Sequence, residues 1–358
     1  MPSFHACSSR KIALLTGATH PGMNFASEHR IAQALAERGV MASWVRWDAS
    51  DAVVDWSSFD AALIRTTWDY VARGADRFVA ALQRIGRCTH LLNDPATVER
   101  NIDKSYLRAL AEAGAPVIET EWIEADGHEI DLIGLLDRRG WHDVVAKPVV
   151  GAAASGLLRF GRHEAAADGP ASNHVRRLLA SHRTVLVQPF LRSVVTQGEV
   201  SLLYFDGRYS HAVRKVPKAG DIRVQAEYGA THEPCTPSSG ERAAAEAVLD
   251  AWVRTQHSDQ TSLDATAGPG GGAIPLYARV DLVEAKPGRA RLMELELIEP
   301  ELFLSQAASV GLPAAENLVE ALLARVDALT RRRAQGHEEP SRDPACGRAA
   351  VAPDAAAR

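Results

Sequence analysis

No run of about 18 consecutive apolar residues occurs in this chain of 358 residues, so no segment reads as a membrane-spanning helix. The opening MPSFHACSSRK carries no apolar core of signal-peptide length, and the expectation is a cytoplasmic protein. A basic stripe is missing too. Lys and Arg number 40 against 45 Asp and Glu, for a formal net charge of -5, and the short basic runs Arg176-Arg177 and Arg331 to Arg333 read as solvated charge, which argues against a nucleic-acid surface. Cysteine is scarce. Cys7, Cys88, Cys235 and Cys346 stand far apart without CxxC spacing and suggest neither a zinc site nor a disulfide framework. No GK[ST] closes a glycine loop and no GxGxxG follows the first strand, which removes the P-loop class and weakens a dinucleotide reading.

What is present is a globular chain, 46% hydrophobic and 24% charged, long enough for two or three packed units. KIALLTG reads as a buried strand, and Glu28 to Arg38 carries Ile31 and Leu35 at helical spacing before Gly39. Strands at Ala42 to Trp47, Asp60 to Arg65 and Thr89 to Leu92, with a helix around Arg77 to Ile85, complete an α/β unit with a small parallel sheet over residues 1–92. After Asp94-Pro95, NIDKSYLRALAEAGAP looks like a helix closed by Gly114 and Pro116. From Val144 the strands come as hairpins, so α+β character follows the α/β start. Residues 256–273, with GPGGG at their heart, read as a flexible loop. A helix from Ala314 to Ala328 closes the fold, and the tail 329–358 is expected to be disordered.

The segment from Tyr277 to Pro300, YARVDLVEAKPGRARLMELELIEP, gathers acid where a strand should be neutral. Folding it about the turn signal Pro287-Gly288 sets Asp281 opposite Glu294 and Arg279 opposite Glu296. The strand period of two then puts these side chains on one face, while Val280, Leu282, Leu295 and Leu297 fill the other. Three carboxylates beside one guanidinium repel, and such a face should hold a hard dication with oxygen ligands, Mg²⁺ or Mn²⁺. The competing reading is an exposed hairpin with a charged outer face.

Lys147 ends the apolar strand VVAKP and is followed by a loop of glycines and small residues that includes Gly151, Ser155 and Gly156. Backbone amides approach phosphate oxygens closely where side chains are small, and a lysine at the loop mouth adds a point charge. An ordinary turn with a surface lysine explains the same residues. TVLVQPFL is an apolar strand running into a hinge of Gln188, Pro189, Phe190 and Leu191, a place where an adenine ring can lie, or else a plain core strand. The hairpin of EVSLLYF and RYSHAVRK, joined by Asp206-Gly207, brings Glu199 and Arg214 together if that turn sets the register. A structural salt bridge would account for that pair equally. Lys215 and Arg223 extend the positive series, and such groups near a triphosphate balance its charge alongside a dication.

In chain order, Lys104 in NIDKSYL, Lys147 in KPVVGAAASG, the QPFL hinge, Gly198-Glu199, the HAVRK strand, and then Arg279, Asp281, Glu294 and Glu296 resemble the ATP-grasp superfamily over residues 90–325. More narrowly the chain is similar to the glutathione-synthetase-like branch and the D-cycloserine cyclo-ligase group. RTTWDY from Arg65 to Tyr70, RNIDKSYL from Arg100 to Leu107 and MELELIEPELFL from Met293 to Leu304 carry that likeness. The resemblance implies an ATP-grasp fold behind a small Rossmann-like parallel-sheet domain, with subdomains at 93–190 and 191–328. It also implies ATP and Mg²⁺ as cofactors. Lys104 and Lys147 would contact the phosphates, with Gly151, Ser155, Gly156 and Glu199 as further nucleotide contacts, and the Gln188 hinge would hold adenine. Asp281, Glu294 and Glu296 would hold the metal, and Arg279 would reach the transferred phosphoryl group. Two departures stand out: many members carry asparagine where this chain has Glu296, and Ser27-Glu28 stands where an acidic pair is expected.

The implied reaction is ADP-forming ligation, in which a carboxylate becomes an acyl phosphate that an amine-type nucleophile attacks. Lys147, Arg279 and Arg214 would neutralise moving charge with Lys215 nearby, and Arg223 would grip a carboxylate or oxyanion, since a planar fork suits both. Arg65, Trp68, Asp69 and Tyr70, at a strand end of the first domain, are expected to touch an amino-acid-like acceptor, with packing of Trp68 and Tyr70 between domains as the alternative. A non-catalytic nucleotide-binding module and a small-molecule kinase are the rival functions. A homodimer is the expected assembly.

Overall fold

Apolar spacing sets the first unit. In the computed structural model, which describes residues 10–19, 22, 25–127, 129–151, 154–181, 184–258 and 274–335, KIALLT forms β1 (Lys11–Thr16) and AALIRT forms β3 (Ala61–Thr66). Both strands are buried along nearly their whole length, as suits strands covered on both faces. β2 (Met41–Arg46) and β4 (His90–Leu92) flank them in a parallel sheet of order β2-β1-β3-β4. Parallel neighbours need crossovers, and α1 (Ala26–Ala36) supplies one, burying Ile31, Ala34 and Leu35. The short α2 (Tyr70–Arg73) and then α3 (Ala75–Cys88) supply another, with Phe78, Leu82 and Ile85 buried at helical spacing. Strand order reverses between β1 and β3, so the crevice of this sheet opens at their carboxyl ends, beside Gly17 and Thr67.

Two compact units divide the chain. The first takes the described residues through Glu99, Pro275–Tyr277 and the chain from Leu297, including α10 (Leu304–Ser309) and α11 (Ala314–Ala334). Sequence placed residues 191–328 in one subdomain, whereas the helices after Leu297 pack in the unit of the parallel sheet. Asn93 helps tie the late segments in: its Nδ2 donates to the carbonyls of Tyr277 at 3.0 Å and Leu297 at 2.7 Å, and its Oδ1 accepts from Leu276 N at 2.6 Å.

The second unit runs from Arg100 to Ile274 and from Ala278 to Glu296. α4 (Pro95–Asn101) ends at its border and α5 (Tyr106–Glu112) follows after a break at Ile102 to Ser105, where the sequence had predicted one continuous helix. Its first sheet has the order β5-β8-β6-β7, from β5 (Glu121–Glu124), β6 (Asp143–Pro148), β7 (Leu158–Gly161) and β8 (Thr184–Pro189). Leu132 and Leu136 of α6 (Leu132–Arg139) and Val175 of α7 (Pro170–Ser181) pack on Val144, Phe160 and Val187 of that sheet. After α8 (Ser193–Thr196) comes a five-stranded sheet of order β11-β10-β9-β12-β13. It is built from β9 (Glu199–Phe205), β10 (Arg208–Val216), β11 (Thr231–Pro234), β12 (Tyr277–Lys286) and β13 (Arg289–Glu296). Asp206 and Gly207 both take positive φ, 50° and 74°, as a two-residue hairpin turn requires.

The helix α9 (Ser239–Ser258) reaches into the stretch read as a loop, and residues 259–273 lie outside the described residues. α11 likewise continues through Ala334 into the expected tail, of which 336–358 lie outside the described residues. Cys88 is disulfide-bonded, against the expectation from cysteine spacing, while Cys235 is free.

Leu14, fully buried in β1, faces no solvent that could fill the space its side chain leaves. Leu14→Ala should lower the free energy of unfolding by about 2–5 kcal/mol in chemical denaturation.

Candidate active site

The acidic hairpin reaches the expected pairing at the acids because two register shifts, between Glu284 and Lys286 and between Asp281 and Leu282, cancel. β12 and β13 pair antiparallel with Arg279 opposite Glu296 and Asp281 opposite Glu294, and a bulge after Asp281 then moves the pairing to Leu282 opposite Leu292. Arg279 donates through Nε and Nη2 to Asp281 at 3.0 to 3.2 Å and through Nη2 to Glu296. Ser201 Oγ of β9 donates to Asp281 Oδ1 at 2.6 Å, and Lys215 Nζ of β10 reaches Asp281 Oδ2 at 3.2 Å and also Glu199. Asp281 is thus only 3% exposed and fully engaged. Burial alone would raise its pKa, but Arg279 and Lys215 outweigh that and hold it well below the usual carboxylate range.

One inserted residue changes the partner of Glu199. The β9–β10 ladder bulges between Tyr209 and His211, so Lys215 and not Arg214 stands opposite Glu199. Because successive side chains point to opposite faces, the slip puts Lys215 among the acids and turns Arg214 away. Arg214 instead donates to Gln197 O at 3.0 Å and lies 3.6 Å from Glu241. Arg223 is not brought to the acids either: its guanidinium pairs with Asp221 at 2.7 Å and lies 3.6 Å over the Tyr228 ring.

The glycine-loop side of the site supplies the remaining cations. The turn between α4 and α5 lets Lys104 donate from its backbone N to Val149 O and from Nζ to Gly151 O, both at 2.8 Å, while Nζ also sits 2.9 Å from Glu294. Lys147, on β6, is part-buried, and among the described residues its ammonium has no hydrogen-bond or ion-pair partner. Burial lowers its pKa, Glu294 opposes that shift and Lys104 adds to it. Gly156 has φ +73°, and a Cβ there would meet Leu178 and Pro148 at 3.1 Å, so glycine is needed where the loop returns. His174 Nε2 lies 2.8 Å from Gly156 O, an anchor the sequence did not reveal. Gly151 and Ser155 lie in the same loop, while Ala152 and Ala153 are outside the described residues.

Each carboxylate of this face therefore has a cation: Glu199 and Asp281 share Lys215, Asp281 and Glu296 share Arg279, and Glu294 pairs with Lys104. The sequence argument that three acids beside one arginine need a dication is corrected on this point, since lysines from distant segments balance the charge. Among the described residues no three acidic, histidine or cysteine side chains converge at metal-holding distances. By chemistry the hard oxygens still suit Mg²⁺ or Mn²⁺. Asp281 has both oxygens occupied, whereas the Glu294 and Glu296 side chains are 28% and 30% exposed and keep oxygen surface available. Burial pushes Glu296 up to about 7 against the pull of Arg279, and burial pushes Glu199 up to about 7 against the pull of Lys215. Glu294 stays below its ordinary value, because Lys104 and Lys147 outweigh its burial.

At the hinge, Gln188 spends its Nε2 on Thr120 Oγ1 at 2.9 Å, and Phe190 lies 3.8 Å under the Arg159 guanidinium, next to Pro189. Leu191 packs instead into an apolar patch with Ile118, Val194, Val224, Val283 and Met293. Met293 immediately precedes Glu294, so this patch adjoins the acidic face. Sequence reading found Leu191 but not its companions, which come from five separate segments.

In the first unit, the strand-end residues are largely committed to internal bonds. Arg65 is fully buried, with Nε and Nη2 donating to Glu28 at 3.0 and 2.7 Å and Nη2 also to Pro300 O at 3.0 Å. Asp69 accepts from Trp47 Nε1 at 2.8 Å and Ala18 N at 2.9 Å. Tyr70 stacks on Phe78 at 4.5 Å, and Trp68 Nε1 donates to Glu299 O at 2.9 Å. Thr67 Oγ1 and Ser305 Oγ are buried with no hydrogen-bond partner among the described residues, and neither was singled out in the sequence.

A parallel-sheet unit, followed by two antiparallel sheets that carry a lysine-flanked glycine loop and a paired acidic hairpin, is the architecture of the ATP-grasp ligases. Residues 131–255 match the family described as prokaryotic glutathione synthetase, ATP-grasp domain, and residues 12–93 match D-cycloserine synthetase DcsG, N-terminal domain. The cycloserine biosynthesis protein DcsG of Streptomyces lavendulae is 33% identical over 294 residues, covering 79% of this chain and 90% of the relative. A crystal structure of D-cycloserine synthetase DcsG superposes with a TM-score of 0.72 at 30% identity, covering 88% of this chain and 99% of that one. D-alanine–D-alanine ligase from Bacillus anthracis complexed with ATP shares the fold, with a TM-score of 0.63 at 14% identity over 91% of this chain and 100% of that one. The chain belongs to the DcsG family of ATP-grasp ligases, enzymes that form carbon–nitrogen bonds. Among the described residues no helix is long and apolar enough to cross a membrane.

Lys215→Met would leave Glu199 and Asp281 buried with their shared ammonium gone. The expected loss is about 3–5 kcal/mol of folding stability in chemical denaturation. Glu296 titrates higher in the folded chain, at about 7 against an ordinary 4.5, so the folded state binds more protons between those values and stability falls as pH rises through that window. Glu296→Gln should flatten its share of that fall, with Glu199 supplying the rest, as read from denaturation midpoints across the same pH range.

Proposed function

We propose that this chain is an ATP-dependent, ADP-forming ligase that joins a carboxylate to an amine-type nitrogen of an amino-acid-like small molecule. The observation that carries the reading is Lys147. A part-buried ammonium without a counter-ion among the described residues, at the mouth of a glycine loop and beside Lys104, is a site awaiting an anion such as a polyphosphate. The relative's name, cycloserine biosynthesis protein, supports a small amino-acid-like substrate.

In the proposed reaction a carboxylate oxygen of the substrate attacks the γ-phosphorus and ADP leaves. The nitrogen then attacks the acyl carbon, the C–O bond to phosphate breaks, and the nitrogen gives up a proton. Lys104 and Lys147 hold phosphate oxygens and screen their charge. The leucine and methionine patch at Leu191 and Met293 receives the adenine, with the hinge backbone at its edge. Arg279, fixed by Asp281 and Glu296, presents a rigid guanidinium to the transferring group. Glu294 and Glu296 would hold Mg²⁺, which supplies charge neutralisation on the phosphates when bound. Asp281 serves that pair by locking Arg279 and Lys215. In the first unit, Thr67 and Ser305 offer unsatisfied hydroxyls to the acceptor, and Arg65 positions Glu28.

Glu294→Ala and Lys147→Ala should each cut substrate-dependent ADP release about 100-fold or more while leaving the circular dichroism spectrum unchanged. Unaltered ADP release in both variants would contradict the assignment. A phosphorylated product that accumulates in place of free phosphate would point to a small-molecule kinase, and nucleotide binding without turnover on any amino acid would point to a binding module.

A further inference from the structure

β13 is the edge of the five-stranded sheet, so its outward N–H and C=O groups need partners other than a further strand. At Leu292 they find backbone: Leu292 N donates to Pro116 O at 2.7 Å, and Ile118 N donates to Leu292 O at 3.2 Å. In a regular strand the next outward pair would fall two residues on, at Glu294. Met293, however, is skipped in the pairing of β13 with β12, which steps from Asp281 opposite Glu294 to Leu282 opposite Leu292. That extra residue moves the next outward pair to Leu295, between the two glutamates.

Side chains satisfy Leu295. Tyr106 Oη accepts from its N at 2.9 Å, and Asn101 Nδ2 donates to its O at 2.9 Å. Both side chains are buried, so losing either bond would leave a backbone group without a partner where water does not replace it. Tyr106 is itself held edge-on against Trp252 of α9, with the ring centroids 6.4 Å apart. Burial, and after it the negative charge of Glu294, holds its phenol well above the ordinary pKa, so the hydroxyl stays neutral. The six residues from Asn101 to Tyr106 also include Lys104, the partner of Glu294.

We propose that Asn101 and Tyr106 are positioning residues for the metal: by gripping both backbone groups of Leu295 they set how Glu294 and Glu296 present their oxygens to Mg²⁺. They act through the strand and supply no ligand themselves. Glu294 and Glu296 leave the same face of β13 on either side of the gripped residue, so a twist of the strand at Leu295 would swing both carboxylates together. Arg279 restrains Glu296 from the neighbouring strand, and the grip on Leu295 removes the twist that this one contact would allow. The inference rests on the reading of the two glutamates as holders of the metal.

The test uses the full chain and counts bound Mn²⁺ by electron paramagnetic resonance in the presence of ATP, with no acceptor added. Tyr106→Phe keeps the ring on Trp252 and removes only the hydroxyl. It should weaken Mn²⁺ binding about tenfold or more while changing ATP binding in EDTA by less than about twofold. Thr89→Val in the first unit deletes a hydroxyl that donates to Phe59 O at 2.8 Å, and it should lower stability without moving Mn²⁺ affinity. If Tyr106→Phe folds poorly, Asn101→Leu, which keeps the side chain's size and removes its donor, takes its place with the same expected loss. Unchanged Mn²⁺ affinity in the folded variant, an equal loss of metal-free ATP binding, or an equal Mn²⁺ loss in Thr89→Val overturns the positioning role. A wild-type chain that binds no Mn²⁺ beside ATP overturns it together with the metal assignment. Firm Mn²⁺ binding without ligation of any amino acid would sink the ligase reading and leave the positioning role standing.

Discussion

Asp281 sits where a carboxylate is hardest to keep, on a central strand with almost no solvent, and it stays ionised because Arg279, Lys215 and Ser201 converge on it. Much of the remaining site is hung from these contacts. Arg279 is pinned against Asp281 and in turn reaches Glu296, and Lys215 is pinned between Asp281 and Glu199. Buried ion networks contribute little net stability, because desolvation offsets most of the Coulomb attraction. Their effect is geometric. A guanidinium held from both sides loses the rotamer freedom it would otherwise have to surrender when a ligand arrives, and that is the sense in which the site is ready before anything binds.

Charge balance also changes how ligand entry should be pictured. A face carrying unpaired acids would be disordered or protonated until a dication arrived, whereas this one folds with each acid already matched. On the proposed reading, binding a dication and a polyphosphate would then be an exchange of partners: Lys104, now on Glu294, would turn to phosphate oxygen, and the glutamate it left would take the metal. Asp281 has no such freedom, since its oxygens hold both Arg279 and Lys215 in place and accept from Ser201 as well.

The hairpin was legible because Pro287-Gly288 fixes the turn and the two register shifts beyond it, between Glu284 and Lys286 and between Asp281 and Leu282, cancel before the acids are reached. The neighbouring hairpin shows the limit of the same argument. Asp206-Gly207 gives the turn correctly, but a bulge near Ser210 shifts everything beyond it by one residue, and no feature of RYSHAVRK announces an insertion. Lys104 and Lys215 were each noticed, but their partnership with the acids was not, because it is made only when separate segments meet. Arg65 was read as a ligand contact from its place at a strand end. Its buried pairing with Glu28 makes it a strand-to-helix tie, and the Ser27-Glu28 departure noted in the sequence was the one local hint of that. The long helix α9 escaped notice because ERAAAEAV offers alanines on every side and so little contrast between faces.

An edge strand normally exposes a row of unpaired backbone groups, and proteins either charge it, shorten it or cover it. On β13 a backbone bridge from Pro116 and Ile118 covers Leu292, whereas at Leu295, between the two glutamates, the cover consists of side chains, and that has a mechanical consequence. A neighbouring strand would clamp Glu294 and Glu296 through a continuous ladder that resists displacement. Asn101 and Tyr106 instead grip the single residue between the two glutamates, from a turn that also carries Lys104. The position of the outer acids is therefore set from one side by Arg279 and from the other by a short segment that grips them only through Lys104 and the two bonds to Leu295.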